Sequence, residues 1–197
     1  MEKDFNYYII EPVITERTVL LMNNGGSGPN STNFLYYETP VAKNYLAHLQ
    51  FLIPNKNPDM DVDFLRLDTY SVFSEKVCDA LKPYLPIKNF QLVKTVINED
   101  SKEYKGFWIA AIYHSIRTFD EKASVYKKIN RSGEWVGIRK IVLDKECLSQ
   151  IPIEERLMYK AKEDTGLKLY HESIINIIKS VDPKGLKFTP IEKWSRI

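Results

Sequence analysis

The chain reads as an α+β protein carrying a mixed, largely antiparallel sheet with two or three packed helices. Three observations point there. A strand–helix–strand pattern occurs twice, in residues 66–97 and again in 167–188. Between the copies runs GFWIAAIYHS, Gly106 to Ser115, an apolar stretch of the kind that forms a fully buried central strand. The composition is that of a folded, strand-rich chain: 44% apolar, 27% charged, 12 Tyr and 9 Phe against only 8 Gly in 197 residues. Strands and helices in separate runs, joined by turn signals, give α+β.

Taken in order, Asn6 to Glu11 (NYYIIE) is a short strand by its aromatic and β-branched residues. NNGGSGPNSTN, Asn23 to Asn33, is an exposed low-complexity loop. It carries neither GxGxxG nor GxxxxGK, and no Lys follows to meet a phosphate. Thr39 to Ile53 places Val41, Tyr45, Leu46 and Leu49 on one helical stripe, opened by Thr39 as N-cap and Pro40 at the first helical position. In the first strand–helix–strand copy Ser74 caps a helix whose apolar positions are Val77, Cys78 and Leu81. Pro83 and Pro86 close it, and Phe90 to Ile97 alternates as a strand. In the second copy Leu167 to Tyr170 is extended. Ile174, Ile175, Ile177, Ile178 and Val181 line the helix, Pro183 and Gly185 turn the chain, and Leu186 to Phe188 leaves as a strand. Laying Ser74 on His171 puts Val77 on Ile174 and Leu81 on Ile178, which suggests an internal duplication. RSGEW, Arg131 to Trp135, turns a hairpin between VYKKI and VGIRKIVL.

Chemistry is harder to find. His48, His114 and His171 stand alone, without HxxxH or HExxH spacing, and no GxSxG elbow is present. Cys78 falls on the apolar face of its helix, as a buried structural thiol does. Cys78 and Cys147 form no CxxC pair and suit a reducing compartment as free thiols. DMDVDF, Asp59 to Phe64, lacks the Gly at position six and the Glu at position twelve of a calcium loop, where Phe64 and Tyr70 stand. As a strand it would put Asp59, Asp61 and Asp63 on one side and Met60, Val62 and Phe64 on the other. That acidic stripe, with Asp68 just beyond it, is a solvated edge, a contact for a basic partner or, the least favoured reading, a centre for metal-assisted catalysis.

Charge is unevenly spread. The total is +2, but residues 1–100 hold 9 Lys+Arg against 13 Asp+Glu, and residues 101–197 hold 19 against 13. Within 117–145, Arg117, Lys127, Lys128, Arg131, Arg139 and Lys140 interleave with Tyr126 and Trp135, the pattern of a nucleic-acid-binding module. Asp120, Glu121, Glu134 and Asp144 dilute it, and no helix-turn-helix, RNP or finger motif accompanies it. The start, MEKDFNYYIIEP, has acids beside its one early Lys and no small-residue cleavage site, so a cytoplasmic location is expected. The longest nearly uncharged run, Gly106 to Ile116, falls short of the roughly 20 residues of a spanning helix.

An ordered set of segments resembles a family of bacterial immunity proteins encoded beside polymorphic toxins, long catalogued only as a domain of unknown function. The segments are GFWIAAIYHSIRTFDEKASVY, IRKIVLDKECL, RLMYK, LKLYHESIINIIK and GLKFTPI. An apolar strand leads to Asp120 and, four residues on, Ser124. Ile141 to Asp144 matches a strand of the type "lvLD", and Leu157 to Lys160 a short strand of the type "iFRl". Gly185-Leu186-Lys187-Phe188 matches the end of the C-terminal helix, and VFSEKVCDAL the first helix. His171 stands where the family usually has a Ser opening the last helix. The likeness covers residues 64–191, and residues 1–63 form a divergent N-terminal part of one immunity-type domain, 1–197. It implies a protein without catalytic residues, cofactor or metal, which binds a cognate toxin domain and blocks it to protect the producing cell. Partner choice would then fall to the divergent part; Asp59, Asp61 and Asp63 within it and Asp68 just beyond it are the candidate contacts, facing a basic toxin.

Overall fold

Period-two alternation builds more of this chain than helical periodicity does. The computed structural model describes residues 2–27, 40–42, 45–52, 58–67, 70–84, 89–99 and 101–196. Thirteen strands are assigned there: β1 (Tyr7–Pro12), β2 (Leu20–Ser27), β3 (Leu46–Phe51), β4 (Phe64–Leu67), β5 (Tyr70–Ser74), β6 (Phe90–Glu99), β7 (Lys102–Ile112), β8 (Ser115–Ile116), β9 (Lys128–Ile129), β10 (Trp135–Val136), β11 (Met158–Ala161), β12 (Asp164–His171) and β13 (Leu186–Pro190). Three α-helices accompany them: α1 (Glu75–Leu81), α2 (Lys145–Ser149) and α3 (Glu172–Lys179). None of these helices is long and apolar enough to cross a membrane.

The α+β expectation holds, but the strands do not share one sheet. Six close into a barrel in the order β2-β3-β6-β7-β5-β4, five form an open sheet in the order β13-β1-β12-β11-β8, and β9 and β10 pair as a ribbon. Pairing is antiparallel except between β2 and β4, β3 and β6, and β8 and β11. Closure removes the free edges that would otherwise template association. The barrel is filled rather than hollow, with Leu21, Leu49, Phe51, Leu67, Val72, Ile97, Phe107 and Ile109 buried in one cluster.

The helix expected over 39–53 is absent where described, and β3 stands there. Tyr45, Ala47, Leu49 and Phe51 are all buried while Leu46, His48 and Gln50 are half-buried, a period of two. Pairing with β2 and β6 on either side decides between two periods that both fit the apolar positions. Thr39 lies outside the described residues. The low-complexity stretch is likewise shorter than read: Asn23 to Ser27 continue β2, with a register shift against β3, and residues 28–33 fall outside the described residues.

The two strand–helix–strand units have one topology. β5 and β6 both pair antiparallel with β7, which lies between them, and β12 and β13 both pair antiparallel with β1. Each unit is therefore a split β-α-β. Ser74 and His171 occupy the same N-cap position, and the buried residues fall at the same offsets: Val77, Cys78, Leu81 and Ile174, Ile175, Ile178. The caps differ. The Ser74 hydroxyl turns away from its helix to Asp63, whereas Nδ1 of His171 accepts the Ser173 N–H at 3.3 Å. The helices pack on one another and share a core with Phe73, Ala110 and Ile112 of the barrel and Ile10, Met158 and Tyr170 of the sheet. That shared core joins barrel to sheet.

The opposite face of the sheet is covered by residues 116–151, which bury Phe119, Trp135, Ile138, Ile141, Leu143 and Leu148 against Tyr7, Tyr159 and Leu169. The hairpin read at RSGEW is present, pairing Ile129 with Trp135. The strand read at Ile141 to Asp144 is not: Leu143 makes one isolated bridge to Phe119, and the Asp144 carboxylate caps α2 by accepting the Cys147 N–H at 2.9 Å. Asp120 and Ser124 form the turn that precedes it. Asp120 Oδ1 accepts the Lys122 and Ala123 N–H groups, and Ser124 Oγ accepts the Val142 N–H at 3.0 Å. Both residues hold the backbone.

Candidate protein-binding surface

The acidic stripe is a loop. Residues 59–63 form no strand, and Asp63 is 7% exposed. One Asp63 carboxylate oxygen accepts the Ser74 hydroxyl, the other accepts the Lys184 backbone N–H at 2.8 Å, and Lys76 Nζ lies 3.5 Å away. The carboxylate thus clamps the start of α1 to the turn that follows α3. A close approach at Gly185 completes this junction. Its φ is +75°, and a Cβ there would stand 2.7 Å from Val62 Cγ1, so only Gly lets the loop lie against the turn.

Asp61 is exposed and Asp59 half-buried, and both are partly engaged. Asp61 pairs with Lys184 Nζ at 2.8 Å, and that hydrogen bond holds its carboxyl below the usual range. The pair is fully solvated, so exchanging Lys184 for a partner's cation costs little. Asp59 accepts the Asp61 N–H at 3.3 Å, and its own N–H donates to the Arg17 carbonyl. The fold thus brings Asp59, Asp61 and Asp63 together but consumes Asp63 internally. Asp68 lies outside the described residues.

Beside that loop is a surface the sequence did not mark. Val13, Ile14, Leu20, Met22 and Leu52 are exposed, at 36 to 72%. They are five of the eight large hydrophobics exposed among the described residues, so the apolar surface concentrates here. Leu20 and Met22 face outward because Leu21, between them, fills the barrel. The Leu52 N–H donates to the Leu20 carbonyl at 2.8 Å, which sets the two side chains next to each other at the end of β3. Val13 is tied to the same turn as Asp63, through its N–H to the Gly185 carbonyl at 2.9 Å. A cavity of about 70 Å³ between Val13, Val19, Asp59 and Val62 links the patch to the acidic loop. Leu20, Met22 and Leu52 thus share the outer face of the β2–β3 pair, and exposed apolar side chains with polar neighbours are the usual anatomy of a protein contact.

Elsewhere the reactive groups serve the structure. Cys78 is fully buried, and burial pushes its thiol up to about 12, far from a thiolate at neutral pH. His171 caps α3 and meets Tyr7 edge-on at 5.4 Å; His114 Nε2 lies 2.7 Å from the Glu155 carbonyl. No group of three His, Cys, Asp or Glu among the described residues could hold a metal. A cleft of about 200 Å³ separates β4 and β5 from β1 and β12. Its floor is a hydroxyl pair, Ser71 and Tyr170, at 2.9 Å, and Arg196 at its rim is held by Asp164 at 2.8 Å. Burial pushes the Tyr170 phenol up to about 12, so it is no base. A maleimide is accordingly expected to label Cys147, which is half-exposed, in the native protein and to add to Cys78 only after denaturation; intact mass before and after denaturation measures this.

Glu163 is another buried acid with a marked environment. Its Oε1 accepts the backbone N–H groups of Thr118 and Phe119 at 2.9 and 3.0 Å, and burial nonetheless raises its pKa above 4.5. The folded state therefore holds this proton to higher pH than the unfolded chain does. Its contribution to stability is largest below the unfolded pKa and is lost as pH rises through the folded one. Glu163→Gln keeps the acceptor oxygen and removes the ionisation. Its melting temperature is expected to gain on the wild type between about pH 4 and pH 7; a gap that stays constant across that range would contradict the assignment.

No family model and no curated protein matches the chain.

Proposed function

We propose that the chain is an immunity protein that binds a cognate bacterial toxin domain and neutralises it in a non-covalent, stoichiometric complex, without turnover. The observation that carries this reading is the set of exposed apolar side chains Leu20, Met22 and Leu52 on the β2–β3 pair, with Val13 and Ile14 on the segment leading into β2 and Val13 sharing a cavity with Asp59. It lies in residues 1–63, the part to which the family resemblance assigns partner choice. Apolar side chains with charged neighbours are what a tight contact uses. Asp63 drops out of the candidate contacts because it is buried. Asp59 and Asp61 remain, as rim charges that speed association with a basic partner. The nucleic-acid reading of 117–145 loses its stacking component, because Trp135 is 7% exposed and Tyr126 lies stacked on it at 4.1 Å.

Calorimetric titration with the toxin domain encoded by the neighbouring gene tests the proposal. One-to-one binding tighter than about 1 µM is expected, with the double variant Leu20→Glu, Met22→Glu weakened by about a hundredfold or more while still folded. Absence of binding, or unchanged affinity in that variant, would refute the assignment of the patch.

A further inference from the structure

Between Lys122 and Lys140 the chain carries six cations, Lys122, Lys127, Lys128, Arg131, Arg139 and Lys140, and one acid, Glu134. Read linearly, the acids in and around this segment seem to neutralise it; the side-chain contacts undo that impression. Asp120 is occupied by the Lys122 and Ala123 N–H groups, and Asp144 caps α2. Glu121 takes the Tyr126 hydroxyl at 3.1 Å and Arg117 at 3.4 Å. Glu134 accepts the Thr165 hydroxyl at 2.6 Å and bonds from Asn130 and Ser132, which hold its carboxyl below the usual range. All four acids are held by contacts within the fold, and with eight cations against these four acids residues 117–145 keep a net positive charge. Lys127, Lys128, Arg131, Arg139 and Lys140 are exposed, and none has an ion pair among the described residues.

Backbone pairing gathers these cations on one ribbon. Lys128 lies opposite Val136, Val125 opposite Lys140, and the Arg139 N–H donates to the Val125 carbonyl. Gly137, at φ +66°, lets the strands close up: a Cβ there would stand 2.9 Å from Lys127 Cβ. Among the cations stand two exposed aliphatic side chains, Val125 at 48% and Ile129 at 47%. The ribbon's aromatic side chains turn inward, Trp135 against Phe119 at 5.5 Å with Tyr126 stacked on it.

We infer that this ribbon is a docking surface for an acidic protein face that carries apolar side chains among its carboxylates. Five unpaired cations set the sign of the partner. Val125 and Ile129 set its class, because a phosphate backbone offers nothing apolar to cover them, and of the aromatics that could stack on bases Trp135 is buried and Tyr126, half-buried, already stacks on it. The surface stands on residues 122–140 and is independent of the toxin-binding patch on the barrel, so either assignment can fail without the other.

The test uses the full chain and three polyanions near 0.15 M salt: a random Glu/Tyr copolymer, poly-glutamate and a duplex DNA of about 20 base pairs. The Glu/Tyr copolymer is expected to bind at least about tenfold more tightly than either of the others. Val125→Ser with Ile129→Ser should abolish its advantage over poly-glutamate. Lys127→Gln with Lys128→Gln, a milder change than charge reversal, should weaken all binding and flatten its salt dependence, with circular dichroism confirming the fold. DNA bound as tightly as the copolymer would make the ribbon a nucleic-acid surface and overturn the inference. Copolymer binding unaffected by either pair of substitutions, or no binding at all, would overturn it equally.

Discussion

Ile178→Ala is expected to lower the free energy of unfolding by about 2 to 5 kcal/mol, measured by chemical denaturation. Ile178 is fully buried in the core that joins the barrel to the sheet. It stands one turn beyond Ile174 on the buried face of α3, and α1 packs across that face. Truncation removes apolar contacts and leaves a cavity between elements fixed by strand pairing on both sides, so collapse around it is limited. Ile177, one residue earlier, is half-buried and supplies the control: its truncation should cost clearly less. A loss below about 1 kcal/mol at Ile178 would mean that this core is not where the barrel and sheet are held together.

Asp63→Ala is expected to destabilise by about 1 to 3 kcal/mol, because it removes the acceptor of the Lys184 N–H and the Ser74 hydroxyl at a part-buried junction. The two readings of this residue separate cleanly. An exposed acidic contact would leave stability within about 0.5 kcal/mol of the wild type and change binding instead. A clamp changes stability first, and Asp63→Asn, which keeps one acceptor oxygen, should recover part of the loss. Equilibrium unfolding of both variants decides between them.

These two residues also show what could be read from the chain. The face of α3 was legible because Ile174, Ile175 and Ile178 follow helical spacing between clear turn signals, and the same offsets recur at Val77, Cys78 and Leu81. Asp63 was not, because its role is fixed by Lys184, 121 residues away in sequence. β3 was misread for a related reason: its apolar residues satisfy two periods, and only pairing with β6, nearly 50 positions downstream, selects one. Barrel closure through β2 and β4 is equally non-local. The apolar patch was invisible because nothing in Leu20-Leu21-Met22 says which side of the strand will face a filled barrel. The ribbon was underestimated because acids near cations in sequence look neutralising until their hydrogen-bond partners are known.

The claim that the chain disarms a toxin by occupying it is tested most directly by growth. A bacterial strain expressing the proposed partner, a toxin domain taken from the neighbouring gene, would be complemented with the wild-type chain or with the folded Leu20→Glu, Met22→Glu variant. The account predicts that the wild type restores growth and the variant does not, at equal expression. Cells that die with the wild-type chain present, or that survive equally well with the variant, would contradict it.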